Sequence, residues 1–310
     1  MPTTNNPIIT NWTPAETPDL TGKTFLITGG NSGIGFEAAK LLADKNADVV
    51  IACRSAEKGK QALAKIVNRG AGRCELLGLD LADSASIRAA AKETSERFGA
   101  IYGLINNAGV MQTPKQKTKD GFEMQLGVNH LGHFLWTALM IGQVDGRGGR
   151  VVTVSSIAHK FARIDFDNLM LERGYDPTAS YTRSKLANLL FAQELHRRLE
   201  AAGSRIKSIA CHPGYSSTPL FSKTANPVSR VAQMVSSKAF GQPQTRGAWP
   251  TVLAATDERA VSGGYYGPTG FFDARGPVGD GIIEPRGRDA AVAKRLWEVS
   301  EKLVGETLRV

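Results

Sequence analysis

Short apolar runs alternate along the chain with longer segments in which apolar residues recur every three or four positions. Runs such as VVIA (49–52), YGLI (102–105) and VVTV (151–154) are almost entirely apolar. Such runs are typical of strands that are buried on both faces of a sheet. The intervening segments have the period of an α-helix. This alternation predicts an α/β fold, a doubly wound parallel sheet of the Rossmann type with helices on both faces.

The pattern also gives approximate bounds for these elements. We expect strands over 24–28, 48–52, 74–79, 102–106, 150–154 and 206–210. We expect helices over 35–45, 56–68, 84–98, 121–142, 179–202 and 289–303.

No composition change divides the chain, so we expect one domain over residues 21–310. Residues 1–20 are polar and contain four prolines, which predicts an extended arm over the surface. The helical pattern weakens over 215–247, where prolines interrupt it, and this segment is a candidate substrate loop or lid. Residues 265–272 are rich in Tyr and Phe, and they either line a substrate pocket or belong to the core.

The composition is that of an ordinary globular protein, with 42% hydrophobic and 22% charged residues. Three cysteines cannot all pair with each other, which favours a reduced, cytoplasmic compartment. No apolar run of about 18 residues and no signal-peptide pattern occurs, so we expect no membrane span. The net charge of +9 comes from scattered Lys and Arg residues. We expect it to favour an anionic cofactor, and we do not expect nucleic-acid binding.

The glycine-rich segment TGGNSGIG lies between the first predicted strand and the first predicted helix. A loop of this kind presents backbone N–H groups and a helix N-terminus to a phosphate. Gly29 permits the turn, Gly33 allows close approach of the anion, and Gly35 allows the helix to pack against the sheet. Asn31 and Ser32 add side-chain donors. A tight turn without a ligand is the alternative interpretation.

The residue at the tip of the second strand distinguishes between the two nicotinamide dinucleotides. Asp48 begins that strand and lies roughly 17 Å from its tip at ~3.3 Å per residue. Cys53 and Arg54 stand at the tip itself, and neither is a carboxylate. The Arg54 guanidinium can bind a 2′-phosphate, which favours NADP(H) over NAD(H). The alternative is an ordinary surface arginine.

A third constellation combines Tyr181 and Lys185 with two serines at the end of a predicted strand. Residues four apart on a helix share a face, with about 6 Å between their Cβ atoms. A nearby ammonium favours the phenolate by up to about 4 kcal/mol and lowers the pKa of a tyrosine toward the working range. Ser155 and Ser156 end a buried strand, where such sheets bind ligands. Many Tyr-x-x-x-Lys pairs are purely structural.

These segments together resemble the short-chain dehydrogenase/reductase family, in its retinol-dehydrogenase-like and protochlorophyllide-reductase-like branch. The matching motifs occur in the family's order and span nearly the whole chain: TGGNSGIG, Asp80-Leu81, NNAG (106–109), VNHLGHF (128–134), VSS (154–156), YTRSK (181–185) and HPG (212–214).

The resemblance implies a catalytic role for four residues. Tyr181 would be the general acid/base, and Ser156 would orient the substrate oxygen. Lys185 would bind the nicotinamide ribose and lower the pKa of Tyr181. Asn129 would hold a water that relays protons to Lys185.

The resemblance also implies a cofactor-binding set that extends from the glycine loop to the strand ends. With Arg54 from the strand-tip argument, the set is Gly29, Asn31, Ser32, Gly33, Ile34, Gly35, Arg54, Asp80, Leu81, Asn107, Gly109, Tyr181, Lys185, Pro213, Gly214 and Thr218.

The expected function is hydride transfer between NADP(H) and a small-molecule carbonyl or alcohol, with a non-catalytic NADP(H)-binding regulatory protein as the alternative. His130 and His133 could suggest a metal site, but no matching ligand set follows, and we expect none. The family commonly forms homodimers or homotetramers, here through helices near 121–142 and 179–202, although this branch also suggests a monomer. An insertion over 160–177 is a candidate wall of the substrate pocket.

Overall fold

The computed structural model describes residues 8–67, 69–215 and 242–310. Within these residues eight strands form one sheet in the order β3-β2-β1-β4-β5-β6-β7-β8. Strands β1 to β7 are parallel, and β8 is antiparallel to β7. The strands are β1 Thr24–Thr28, β2 Asp48–Cys53, β3 Cys74–Gly78, β4 Gly103–Asn106, β5 Arg150–Val154, β6 Lys207–Cys211, β7 Tyr265–Gly270 and β8 Arg275–Asp280.

Helices cover the sheet on both sides. In the described part of the chain they are α1 Gly33–Ala43, α2 Ala56–Ile66, α3 Ser84–Arg97, α4 Met124–Leu126, α5 Gly132–Met140, α6 Pro177–Ala201, α7 Gln244–Thr256 and α8 Ala290–Val304. A π-helical turn, Gly127–Leu131, joins α4 to α5. Short 3₁₀ turns occur at Pro14–Glu16, Ile141–Gln143, Ile157–Phe161, Phe166–Asn168, Phe271–Asp273 and Pro285–Arg288.

Alternate residues of each strand supply two separate cores, as expected for a sheet that is covered on both faces. Phe25 and Ile27 of β1 pack with α1, α2 and α7. Leu26, which lies between them, packs with α3, α5 and α6 on the other face. The prediction of a doubly wound α/β fold is therefore confirmed.

The strand order reverses between β1 and β4, because the chain winds outward from β1 to β3 and then returns to β4. The loops that leave these two strands diverge to opposite faces and open a crevice at the carboxyl ends of the strands. Open α/β sheets bind their ligands at such a point. The fold thus places the glycine loop and the strand-end motifs at one edge.

Several element boundaries differ from the sequence prediction. The hairpin of β7 and β8 was not predicted, and the expected helix over 121–142 is interrupted by the π-helical turn. Residues 244–247, expected in the substrate loop, begin α7. The rest of that loop from 216 to 241, including Thr218, lies outside the described residues.

Residues 8–20 are attached to the edge of the sheet instead of lying over the surface as expected. Ile9 and Trp12 are both 1% exposed. The Trp12 amide donates to the Val278 carbonyl of β8 (2.9 Å), and its indole Nε1 donates to the Asp257 carboxylate (2.8 Å). This segment therefore contributes to the core.

Helix α8 packs against α5 and α6, which lie in the segments that were expected to mediate oligomer formation. Its Trp297 is fully buried, stacks on Phe191 (centroids 5.7 Å apart) and meets Phe134 edge-on (5.1 Å). Ser300 of the same helix hydrogen-bonds to His130 (2.9 Å). The homodimer or homotetramer stays a prediction. In the parts of the chain that are described, no helix has the length and apolar character to cross a bilayer.

We expect Trp297→Ala to lower the free energy of unfolding by about 3–5 kcal/mol, because it removes the aromatic contact between α8 and both neighbouring helices. Urea denaturation followed by far-UV circular dichroism would measure this loss. Lys294→Ala, at an exposed position of the same helix, is the control and should change it by less than about 0.5 kcal/mol. Equal effects of the two substitutions would contradict this account of α8.

Candidate active site

At the glycine loop, β1, α1 and the end of β4 lie very close together. Gly29 has a φ of 69°, and a Cβ added there would lie 3.0 Å from the Ala108 Cα. Gly35 is more constrained, since a Cβ there would collide with the Asn107 amide nitrogen and approach the Gly29 carbonyl oxygen to 2.6 Å. Gly33, with a φ of 59°, begins α1. The loop therefore requires glycine at these positions for space and backbone conformation.

Beside this loop lies a cavity with a volume of about 660 Å³. It is bounded by the N-terminus of α1 and the carboxyl ends of β2, β3 and β4. Ser32 caps α1 from an extended conformation, and its hydroxyl makes no bond to the helix amides, so it can bind an anion together with them. Seven of the predicted cofactor residues line the cavity: Gly29, Asn31, Ser32, Arg54, Asp80, Leu81 and Gly109.

Other members of the predicted cofactor set do not line this cavity: Gly33, Ile34, Gly35, Asn107, Pro213 and Gly214. Asn107 instead stabilises the loop, because its side-chain amide donates to the Thr28 carbonyl (2.8 Å). The Thr28 hydroxyl in turn accepts from the amides of Asn107 and Ala108 (both 3.0 Å). Thr28 and Asn107 therefore hold the ends of β1 and β4 together.

Lys58 and Ser55 also line the cavity next to Arg54, and neither was predicted from the sequence. Lys58 stands four residues after Arg54, in the first turn of α2, and both side chains are exposed. The place of Lys58 in the first turn of the predicted helix, directly after the strand tip, could have revealed this second cation. In the described structure neither Arg54 nor Lys58 forms an ion pair, so both charges are available to an anionic ligand at this end.

The predicted catalytic side chains meet at the end of β5. Ser156 follows the strand, and Tyr181 and Lys185 lie one turn apart on α6. The hydroxyls of Ser156 and Tyr181 interact with each other. The Lys185 Nζ lies 5.9 Å from the centroid of the Tyr181 ring and donates to the Val154 carbonyl (3.1 Å). A Cβ on Gly109 would lie 3.6 Å from this Nζ, which connects the cluster to the cavity.

Asn129 lies on the π-helical turn, a conformation that often marks functional sites. Its side-chain Oδ1 accepts from the Val110 amide (2.8 Å). Its Nδ2 donates to the Val110 carbonyl (2.9 Å) and to the Ser184 hydroxyl (2.9 Å). Both polar atoms are thus engaged by protein groups, and they join the loop after β4 to α6. The predicted water relay to Lys185 stays a prediction.

Burial dominates the ionisation of the cluster. It raises the pKa of Tyr181, although the hydrogen bond from Ser156 partly opposes this. It lowers the pKa of Lys185 to about 8. The net shift of the Tyr181 pKa is upward, and its expected lowering by Lys185 stays a prediction. Tyr181 is therefore a protonated phenol at neutral pH, suited to donating a proton.

The two histidines of the VNHLGHF segment (128–134) have separate partners. His130 contacts Ser300, whereas His133 contacts the Thr28 hydroxyl (2.8 Å) and the Asn129 carbonyl (2.9 Å). Burial lowers the pKa of His130 to about 3 and that of His133 to about 4, so both are neutral. Across residues 8–67, 69–215 and 242–310 there is no cluster of three potential metal-ligating side chains.

The insertion over 160–177 packs on α6. Arg183 anchors it, since its Nη1 donates to the carbonyls of Asn168 (2.5 Å) and Leu169 (2.9 Å). Its role in the substrate pocket stays a prediction.

The family model for short chain dehydrogenases matches residues 23–228. The chain belongs to the short chain dehydrogenase family. It is 40% identical to human retinol dehydrogenase 11 over 94% of this chain and 88% of that protein. The retinol-dehydrogenase-like resemblance is thereby confirmed.

Solved structures agree with this assignment. An uncharacterized protein from Mycobacterium paratuberculosis superposes with a TM-score of 0.81 at 38% identity, covering 97% of this chain and all of the other. A short chain dehydrogenase from Burkholderia cenocepacia in complex with NADP superposes with a TM-score of 0.64 at 27% identity, covering 80% and 96%. Short chain dehydrogenases are oxidoreductases that bind a nicotinamide cofactor, and the glycine cradle and cavity fit such a group.

We expect Gly35→Ala to weaken nicotinamide dinucleotide binding by about tenfold or more, which corresponds to at least about 1.4 kcal/mol. The added methyl group forces Asn107 and the Gly29 carbonyl away from their positions in the cradle. Titration of dihydronicotinamide fluorescence would measure the dissociation constant, with circular dichroism to verify folding.

Gly142→Ala is the matched control, because a Cβ there meets no atom within 4 Å and the position is exposed. Unchanged binding by the Gly35 variant would refute the role of this glycine in the cradle.

Proposed function

We propose that this protein is an NADP(H)-dependent oxidoreductase that interconverts a carbonyl compound and an alcohol, with Tyr181 as the general acid/base. The observation that carries the proposal is that the Ser156 and Tyr181 hydroxyls interact, with the buried ammonium of Lys185 one helical turn away. Two hydroxyls at one point can both bond to a substrate oxygen. A nearby cation can stabilise the charge that remains on one of them.

In the reducing direction each of the three residues has a separate role. The Ser156 hydroxyl orients the substrate oxygen, and Tyr181, protonated at neutral pH, donates its proton to that oxygen. When bound, the nicotinamide supplies the hydride that the carbonyl carbon gains. The ammonium of Lys185 stabilises the resulting phenolate until a proton from solvent restores the phenol. Oxidation of the alcohol uses the same groups in reverse.

The choice of NADP(H) rests on the charges at the tip of β2. Arg54 and Lys58 can both reach an anion at that end of the cavity. Asp48, the acidic residue of this strand, lies at its opposite end and bonds to the Arg73 amide (2.7 Å) and guanidinium (3.3 Å). A 2′-phosphate therefore meets two cations and no carboxylate at the strand tip. The Burkholderia relative in complex with NADP supports the same choice.

The substrate we propose is an apolar aldehyde, ketone or alcohol. The name of the related retinol dehydrogenase supports this class. The 3₁₀ turn Ile157–Phe161, which follows Ser156, also carries the Phe161 side chain, which is 81% exposed. An aromatic side chain at this place favours a ligand with an apolar body.

We expect Tyr181→Phe to lower turnover by at least about 10²-fold while NADPH binding is retained, because the variant lacks only the proton donor. NADPH oxidation would be followed over a panel of aldehydes, ketones and quinones that includes retinaldehyde, with an NADH control. Tyr102→Phe, at the amino-terminal end of β4 and thus at the opposite end of the strand from the site, should leave turnover unchanged.

Normal turnover by the Tyr181 variant would overturn the mechanism. A wild-type protein that binds NADPH tightly and oxidises none over the whole panel would instead support the non-catalytic regulator.

We expect Arg54→Ala and Lys58→Ala each to raise the dissociation constant of NADPH by about 10- to 100-fold, because hydrogen bonds to charged groups contribute about 1.5–3 kcal/mol. Binding of NADH, which lacks the 2′-phosphate, should change little. Arg73→Ala, at the far end of β2, is the control for loss of a positive charge. Equal affinities of the wild type for the two cofactors, unaltered in the Arg54 variant, would contradict the proposed specificity.

A further inference from the structure

Two buried side chains without an assigned role lie directly behind Ser156. Tyr265, the first residue of β7, is 4% exposed, and His159, in the turn after Ser156, is 1% exposed. Their rings meet edge-on with centroids 5.5 Å apart, and the Tyr265 hydroxyl lies 3.4 Å from the His159 Nδ1. On its other side the Tyr265 ring stacks on His212 (5.0 Å).

The donor and acceptor roles of Ser155, His159 and Tyr265 follow from their other hydrogen bonds. Ser155 donates from its hydroxyl to the Lys185 carbonyl (2.7 Å), so it can only accept from the Tyr265 hydroxyl, with which it also interacts. The His159 Nδ1–H donates to the Ser156 carbonyl (2.7 Å), which leaves the Tyr265 oxygen as its weaker second acceptor. Burial lowers the pKa of His159 and keeps this imidazole neutral.

We propose that Tyr265 is a positioning residue for Ser156: its hydroxyl, between the Ser155 hydroxyl and the His159 imidazole, holds the backbone on both sides of the Ser155–Ser156 peptide. This inference rests on the proposed function. The Ser155 side chain and the Ser156 carbonyl are both held by these interactions. The backbone at Ser156 is therefore fixed, and so is the direction in which its side chain points. Tyr265 itself does not touch the reacting atoms.

The surrounding backbone supports a specific requirement for this tyrosine. Its own carbonyl accepts from the Gly281 amide (2.7 Å), and a Cβ at Gly281 would lie 3.0 Å from the Tyr265 ring. Gly267 leaves the space in which the neighbouring His212 ring lies, because a Cβ there would overlap its imidazole. Packing therefore fixes the position of the ring, and with it the place of the hydroxyl beside the His159 imidazole.

We expect Tyr265→Phe to lower kcat for carbonyl reduction by on the order of 10- to 100-fold, as displacements of about 1 Å at a reacting group do. The dissociation constant of NADPH, measured by fluorescence titration, should stay within about twofold of the wild type because the cofactor cavity is untouched. Phenylalanine keeps the packing and removes only the hydroxyl.

Tyr266→Phe is the matched control. This neighbour is equally buried, and its hydroxyl accepts from the Val261 amide (3.0 Å) on the opposite face of the sheet. Both substitutions remove one buried hydroxyl and should lower the thermal unfolding temperature similarly. A similar loss of kcat in both variants would show a general loss of stability and overturn the inference.

A double-variant cycle separates positioning from structure. If Tyr265 acts through Ser156, Tyr265→Phe should lower kcat by less than about twofold when Ser156→Ala is already present. An undiminished effect in that background would overturn the inference. Should Tyr265→Phe fail to fold, His159→Ala replaces it in the same cycle, with His159→Asn expected to restore much of kcat because its amide can donate to the Ser156 carbonyl.

Failure of the inference and failure of the proposed function give different results. A wild type that reduces carbonyl compounds, together with a Tyr265→Phe variant of unchanged kcat, overturns only the role of Tyr265. A wild type that reduces none of the panel overturns the proposed function and this inference with it.

Discussion

Three hydrogen bonds tie the end of β5 to helix α6, and the candidate site depends on them. The Val154 carbonyl accepts from the Lys185 ammonium and the Asn188 amide (both 3.1 Å), and the Ser155 hydroxyl donates to the Lys185 carbonyl (2.7 Å). All of these groups are buried, where an unpaired polar atom is costly. A shift of α6 along the strand would break all three bonds. The register of Tyr181 against Ser156 is therefore fixed by the protein before any ligand binds.

A similar arrangement secures the cofactor side. The Thr28 hydroxyl accepts from two amides at the end of β4 and contacts the His133 imidazole, which in turn bonds to the Asn129 carbonyl. Asn129 then reaches α6 through Ser184. A continuous set of hydrogen bonds thus runs from the glycine loop to the catalytic helix. Because each buried group is paired, the cavity and the catalytic cluster keep a defined relative position.

Much of the site could be predicted from sequence because its signals are local. The spacing of Tyr181 and Lys185 places them on one helix face, and the position of Arg54 follows from the length of β2. Lys58 could also have been predicted, because it lies in the first turn of the helix that follows the tip of β2. The hairpin of β7 and β8 was not, since its Gly- and Pro-rich strands lack alternation. Tyr265 therefore stayed ambiguous between pocket and core, and its proximity to His159, 106 residues earlier, was invisible.

The sequence by itself determined the parallel strands β1 to β6, the two covered faces of the sheet and the glycine loop, because hydrophobic period and residue spacing act within one element or between adjacent ones. Only the tertiary structure decided the ionisation of the cluster and the partners of its members. Burial raises the pKa of Tyr181 and lowers that of Lys185, and it arises from residues distant along the chain. In the same way, α8 covers the face of α5 and α6 because aromatic side chains on three helices pack together, which no single segment specifies.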